Sequence, residues 1–169
     1  PPLVAYYLRY PPIRTDEAGD PILPMEPDPR LFEVARWLGS LRDLLVVVAN
    51  APHLFLDEIA DAAGVEVLSM IDLAIEEARR REASPIGVLG LGQPRVYEVP
   101  LDRLGVPYKT ISGDLRARLD AAILALMEGR ESDEDRQVAV DAVSVLRQRG
   151  AGTIILGCTE IPLLLGDAS

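Results

Sequence analysis

Short apolar runs rich in β-branched residues alternate along this chain with stretches of helical periodicity, and few folds accept that alternation. Residues 44–48 (LLVVV), 65–68, 86–91 (IGVLGL), 107–110 and 153–156 (TIIL) have the length and composition of strands. Between them, apolar residues recur at three- and four-residue spacing. Leu31, Val34, Ala35 and Leu38 share one face of a helix expected over 30–39. Leu115, Leu119, Ala122, Ile123 and Leu126 do the same over 115–128, and Val138, Ala142, Val145 and Leu146 stripe a helix that Ser132 caps. Further helices are expected over 54–63, from Ser69 to about Glu82, and over 97–104, with Gly64, Gly105 and Gly129 placed as stop signals. Such alternation specifies an α/β protein with mainly parallel sheets flanked by helices. The run 44–48 lacks polar alternation, as a parallel strand covered on both faces does. Residues 3–10 (LVAYYLRY) read as one more strand, and the proline-rich stretch 16–29 as a loop. Glu76, Glu77, Arg79, Arg80 and Arg81 read as a solvated helix face with i,i+4 ion pairs.

A chain of 169 residues can bury one solid core or two small lobes. No apolar run approaches the ~20 residues of a membrane span, and no secretory signal is visible. The opening Pro1-Pro2 lacks a methionine and suggests an amino end that has been trimmed. A single cysteine excludes an internal disulfide and fits a cytoplasmic location. One Cys and one His leave no zinc-type spacing. The net charge of −10 argues against nucleic acid, whose phosphate backbone calls for a basic surface. A membrane partner is not expected either, and a homodimer is left open.

The lone cysteine stands in the stretch 153–165, TIILGCTEIPLLL. An apolar strand leads to Gly157, which permits a sharp turn, and Cys158, Thr159 and Glu160 follow where a helix can begin. A thiol there meets unpaired backbone N–H groups and the positive end of a helix dipole, and both favour the thiolate. The plainer alternative is a small buried hydrophobe. Ligands in open α/β sheets bind at the carboxyl edge of the strands, which weighs toward function.

Gly87, Gly90 and Gly92 follow the start of a strand, but their spacing is G-x-x-G-x-G and Pro94 comes next. The dinucleotide fingerprint needs a different order and its own helix, so it is set aside, and no P-loop is present. An internal echo says more. LLVVV-Ala49-Asn50-Ala51-Pro52 and TIIL-Gly157-Cys158-Thr159-Glu160 share a plan of apolar strand, small residue, polar residue and helix start. Two such turns facing each other would make a cleft suited to a carboxylate.

GCTEIPLL, with NAPH preceded by a strand and followed at a short distance by DEI, resembles the two active-site motifs of the cofactor-independent aspartate/glutamate racemase superfamily. The likeness covers roughly residues 40–165. It implies two similar α/β lobes with the active site in the cleft between them, divided here as 1–68 and 69–169. It also implies proton transfer at the α-carbon of a small amino or carboxylic acid by two cysteines, with neither pyridoxal phosphate nor a metal. Two groups on opposite faces are what inversion requires. By this resemblance Cys158 is the acid/base residue, Glu160 its assistant, and Asn50 and Thr159 are carboxylate contacts.

The chain departs from the family pattern, usually C-N-T-x-H, at the first motif. Ala49 stands where the first cysteine is expected and Ala51 where a threonine is; Asn50 and His53 are retained. The turn after residue 89 is shortened to Gly90-Leu91-Gly92-Gln93-Pro94. A first strand with its glycine-rich turn, and a segment closing the first lobe, are expected from the resemblance and are not among these residues. Three readings stay open: another group serves on the Ala49 side, the chemistry needs one cysteine as in the related single-cysteine decarboxylases of malonate-type acids, or the protein binds a carboxylate without turnover. His53 is expected to pack or cap at the helix start, with a ligand contact second, and Tyr97 to be core or rim.

Overall fold

The computed structural model describes residues 3–8, 26–81 and 84–166, and the chain divides into two units, Pro1–Met70 and Ile71–Ser169. The first unit is built from two helices and a small parallel sheet. Helix α1 (Pro29–Gly39) starts where Asp28 accepts a hydrogen bond from the Arg30 amide, and Pro29 takes the first position, where no N–H is needed. Strand β1 (Leu44–Val46) follows, then a 3-10 turn (Ala51–Phe55), helix α2 (Leu56–Ala63) and strand β2 (Glu66–Leu68). Gly64 ends α2 in the left-handed conformation at φ 65°, as its position predicts. Strands β1 and β2 pair in parallel, Leu44 opposite Glu66 and Val46 opposite Leu68. Ala35, Leu45, Ile59 and Ala63 form the core of this unit.

Two expectations for this unit are corrected. Residues 3–8 are irregular rather than a strand; residues 9 and 10, and most of the loop expected at 16–29, lie outside the described residues. Tyr6 is held by an edge-on ring contact with Trp37, centroids 5.7 Å apart, while Leu3 and Tyr7 stand almost fully exposed. Strand propensity needs a paired, half-buried surface to act on. Nor is the run 44–48 covered on both sides. Leu45 faces the core, but successive side chains alternate, and Leu44 and Val46 remain about half exposed at 49% and 48%.

The second unit carries the alternation through. Helix α3 (Met70–Arg80) begins on the last residue of the first unit and leads to β3 (Ile86–Leu89), α4 (Arg95–Arg103), β4 (Tyr108–Lys109), α5 (Asp114–Met127), α6 (Asp133–Gln148), β5 (Thr153–Leu156) and α7 (Glu160–Leu165). On α3, Glu77 pairs with Arg80 and Arg81, the solvated face expected of that charge run. A reciprocal capping box between Ser132 and Asp135 opens α6. The sheet order is β4-β3-β5, all parallel, with Ile86 opposite Thr153 and Leu89 opposite Leu156. Strand β3 is buried throughout. Strand β5 is only half-buried, because it pairs with β3 alone among the described residues. Leu119, Ile123, Ala142, Leu146, Ile161 and Leu164 fill the core between sheet and helices. Gly87 belongs to this packing: a Cβ on it would meet Ile154 Cγ1 at 2.9 Å. That is the role of a close strand contact, not of a phosphate loop.

Strands β3 and β5 run in step and end at the same level, Leu89 opposite Leu156. Just past that edge, the Gly157 amide donates to the Leu89 carbonyl at 2.7 Å. The two turns that leave the edge, 90–94 and 157–160, therefore lie side by side.

Candidate active site

Within the second unit, β5 delivers Gly157 and Cys158 to the carboxyl edge of the sheet, and α7 starts at Glu160 with Thr159 as its cap. Gly157 is packed too closely for a side chain. A Cβ would stand 2.6 Å from the Tyr97 ring and 2.9 Å from the Leu89 carbonyl oxygen. Tyr97 itself is buried, 2% exposed, which fits the core role read from sequence. Its ring forms the floor under the turn.

Cys158 Sγ donates a hydrogen bond to Glu160 Oε2 at 2.9 Å, and Thr159 Oγ1 donates to the same oxygen at 2.9 Å. The fold thus brings Cys158, Thr159 and Glu160 together around one carboxylate. Burial pushes the Cys158 thiol up to about 11, and the Glu160 carboxylate adds to this by accepting the S–H and by its charge. The backbone N–H groups of Glu160 and Leu91 pull the other way and are outweighed. Glu160 is also burdened by burial, yet the Cys158 and Thr159 donors and its own amide hold it below the ordinary carboxylate range. The proton rests on sulfur and the charge on Glu160. This corrects the expectation of a lowered thiol: the helix start is present, but α7 is short and the desolvated sulfur faces a carboxylate.

Beside this turn, Gly90 is buried with its Cα facing Pro94 and Gly157; a Cβ there would lie 3.3 Å from Pro94 Cβ. Gly92 follows at φ 59°, a conformation that suits glycine. Helix α5 grips this residue at both polar groups. Asp120 accepts from the Gly92 amide at 2.8 Å, and Arg116 donates to the Gly92 carbonyl and to the Ile111 carbonyl. Sequence reading passed over Arg116 and Asp120. Their i,i+4 spacing and opposite charges on α5 were the available signal.

The other four residues singled out from sequence lie on one turn of the first unit. Ala49 and Asn50 follow β1, and Ala51 and His53 fall in the 3-10 turn with Pro52 near its start. His53 Nδ1 lies 2.8 Å from the Ala49 carbonyl, and the Met70 amide donates to Nε2 at 3.3 Å. An acceptor at Nε2 places the ring proton on Nδ1, so that His53 donates to Ala49. His53 therefore fastens the turn, the packing role expected of it. Ala49 lines an apolar groove of about 290 Å³ with Tyr6, Leu45 and Val48. In the second unit a cavity of about 630 Å³ runs along β5 and α6, lined by Arg81, Ser144 and Arg147; Cys158 is not part of its wall. Among the described residues no group of three or more His, Cys, Asp and Glu side chains is gathered to hold a metal ion, and no helix is long and apolar enough to cross a membrane.

The family model for Asp/Glu/Hydantoin racemase matches residues 25–169. The chain belongs to that family. A glutamate racemase of Enterococcus faecalis is 25% identical over 141 residues, which cover 79% of this chain and 50% of the relative. The chain thus spans about half the length of that enzyme. Among solved structures, a Yersinia pestis protein of the Asp/Glu racemase class superposes with a TM-score of 0.75 at 27% identity, covering 82% of this chain and 63% of its own. An aspartate racemase homologue from Pyrococcus horikoshii OT3 gives 0.69 at 22% identity, covering 81% and 62%, and supports the shared fold alone.

Proposed function

We propose that this protein handles a proton at the α-carbon of a small amino or carboxylic acid without a cofactor, as an aspartate/glutamate racemase-like protein in which Ala49 stands where the family has its first cysteine. The observation that carries this reading is the Cys158–Glu160 hydrogen bond at the carboxyl end of β5, in a chain of the racemase family. Cys158 is the proton donor. In the delivery step its S–H bond breaks as a C–H bond forms at the α-carbon, and the thiolate left behind has the Leu91 and Glu160 amides as partners. Glu160 assists by holding the proton on sulfur until a more basic carbon arrives. A thiolate from such a weak acid is also a stronger base than an ordinary one, which suits removal of a weakly acidic α-proton in the reverse step. Asn50 and Thr159 contact the substrate carboxylate, Ala51 leaves room beside it, and His53 orients the Ala49 turn. The lone thiol and the family's chemistry on small solutes fit a cytoplasmic protein.

The resting thiol favours one second reading. A single-cysteine decarboxylase of malonate-type acids loses carbon dioxide to form an enediolate, so it needs a donor on one face and no base on the other. Ala49→Cys separates the two. In the racemase reading it restores the missing group and raises racemisation of aspartate or glutamate by ~10²–10⁴, followed by chiral chromatography. In the decarboxylase reading it narrows the pocket and lowers carbon dioxide release. A folded Ala49→Cys protein that binds aspartate and exchanges no α-proton would overturn the racemase reading.

A further inference from the structure

Thr159 stands at the position before α7, where a threonine side chain ordinarily accepts from a backbone N–H of the first helical turn, yet it makes no such cap. Its hydroxyl turns instead to Glu160 Oε2 at 2.9 Å, the same oxygen that Cys158 Sγ reaches at 2.9 Å. An ionised carboxylate only accepts, so both partners donate, and one oxygen holds two donors. The Thr159 donor is among the groups that keep the charge on Glu160. Thr159 is exposed while Cys158 and Glu160 are half-buried, so its hydroxyl is the member of the three most open to a solute. A hydroxyl has a single proton to donate. The one that Thr159 would offer to a substrate carboxylate is already engaged by Glu160.

We propose that Thr159 is a switch between the two acceptors: a bound carboxylate takes the Thr159 proton and leaves Glu160 Oε2 with the Cys158 S–H alone. Substrate and Glu160 compete for one donor, so carboxylate binding and the charge on Glu160 are coupled through it. Freed of one donor, Glu160 is the stronger base. The S–H bond then breaks as an O–H bond forms on Oε2, the electron pair stays on sulfur, and the negative charge passes from Glu160 to Cys158. The thiolate needed to remove an α-proton thus forms once a ligand is in place, and without one the thiol stays protonated. The proposal rests on the reading of Thr159 as a carboxylate contact and adds to it the control of Cys158.

The experiment is a double-mutant cycle on the affinity for succinate, read by NMR titration of the whole protein. It compares the parent, Thr159→Val, Glu160→Gln and the double variant, with folding followed by circular dichroism. Repulsion between Glu160 and the ligand is present with either side chain at position 159, so it cancels in the cycle. Glutamine is a weaker acceptor than a carboxylate and releases the hydroxyl. Glu160→Gln is therefore expected to tighten succinate binding more in the parent than in the Thr159→Val background. The further factor should be roughly three- to thirtyfold, the scale of coupling between residues that share a hydrogen-bond network. Thr159→Ser keeps the proton and is expected to show the parent's coupling. If Thr159→Val does not fold, Thr159→Ala takes its place with the same expectation. Additive effects, or a larger effect of Glu160→Gln in the Thr159→Val background, would overturn the proposal while the carboxylate contact stands. No saturable succinate binding in the parent would overturn both. Whether Cys158 moves a proton is read apart from either, by deuterium exchange at the α-carbon.

Discussion

Burial and the Glu160 carboxylate both favour the neutral thiol of Cys158, while two backbone amides oppose them, and the balance sets which half of a proton transfer this residue begins with. Glu160→Gln removes the charge and weakens the acceptor but leaves the burial. The alkylation midpoint should therefore fall from about 11 toward, without reaching, the ~8.5 of a free thiol. A midpoint that stays at its parent value would mean that burial alone holds the proton. The same residue shows what a sequence cannot carry. GCTE announces a strand end, a turn and a helix start, and all three are present. The direction of the thiol shift was not legible, because it depends on how deeply the sulfur is covered and on which way the Glu160 side chain turns. Arg116 and Asp120 were invisible for a related reason: the peptide they hold is 24 and 28 residues away in the chain.

Among the elements, those whose signal is local were the easiest to foresee. Helix α6 carries its own start in the Ser132–Asp135 capping box, and α5 its own apolar stripe and final Gly129 at φ 66°. Strand β1 was foreseen in place but not in environment, since its exposure at Leu44 and Val46 is decided by what lies over the sheet. Residues 3–8 had strand composition and found an aromatic contact instead of a ladder. The close approach of β5 to α4 gives the element-scale prediction. Gly157→Ala places a methyl against the Tyr97 ring and the Leu89 carbonyl, one of which is backbone and cannot yield cheaply. Urea unfolding should show a loss of ~1–3 kcal/mol, as overpacking of a tight contact does. An unchanged midpoint would show that the β5–α4 packing is looser than the geometry states.

For the whole molecule, the family relation and the parallel sheets define the framework. In the proposed function the ligand is a small carboxylate, which a chain of net charge −10 holds by specific donors rather than by a basic surface. The proposed function stands on Cys158 exchanging a proton with the α-carbon of such a solute. The most direct measurement is proton NMR of aspartate, glutamate and malonate-type acids incubated with the protein in deuterated water, beside Cys158→Ser. Deuterium is expected to enter the α-position of at least one of these acids, with release of carbon dioxide marking the decarboxylase, and the rate is expected to fall by ~10²-fold or more in Cys158→Ser. Deuterium incorporation that proceeds equally well in folded Cys158→Ser, or that occurs in none of the acids, would contradict a proton-transfer role for this thiol.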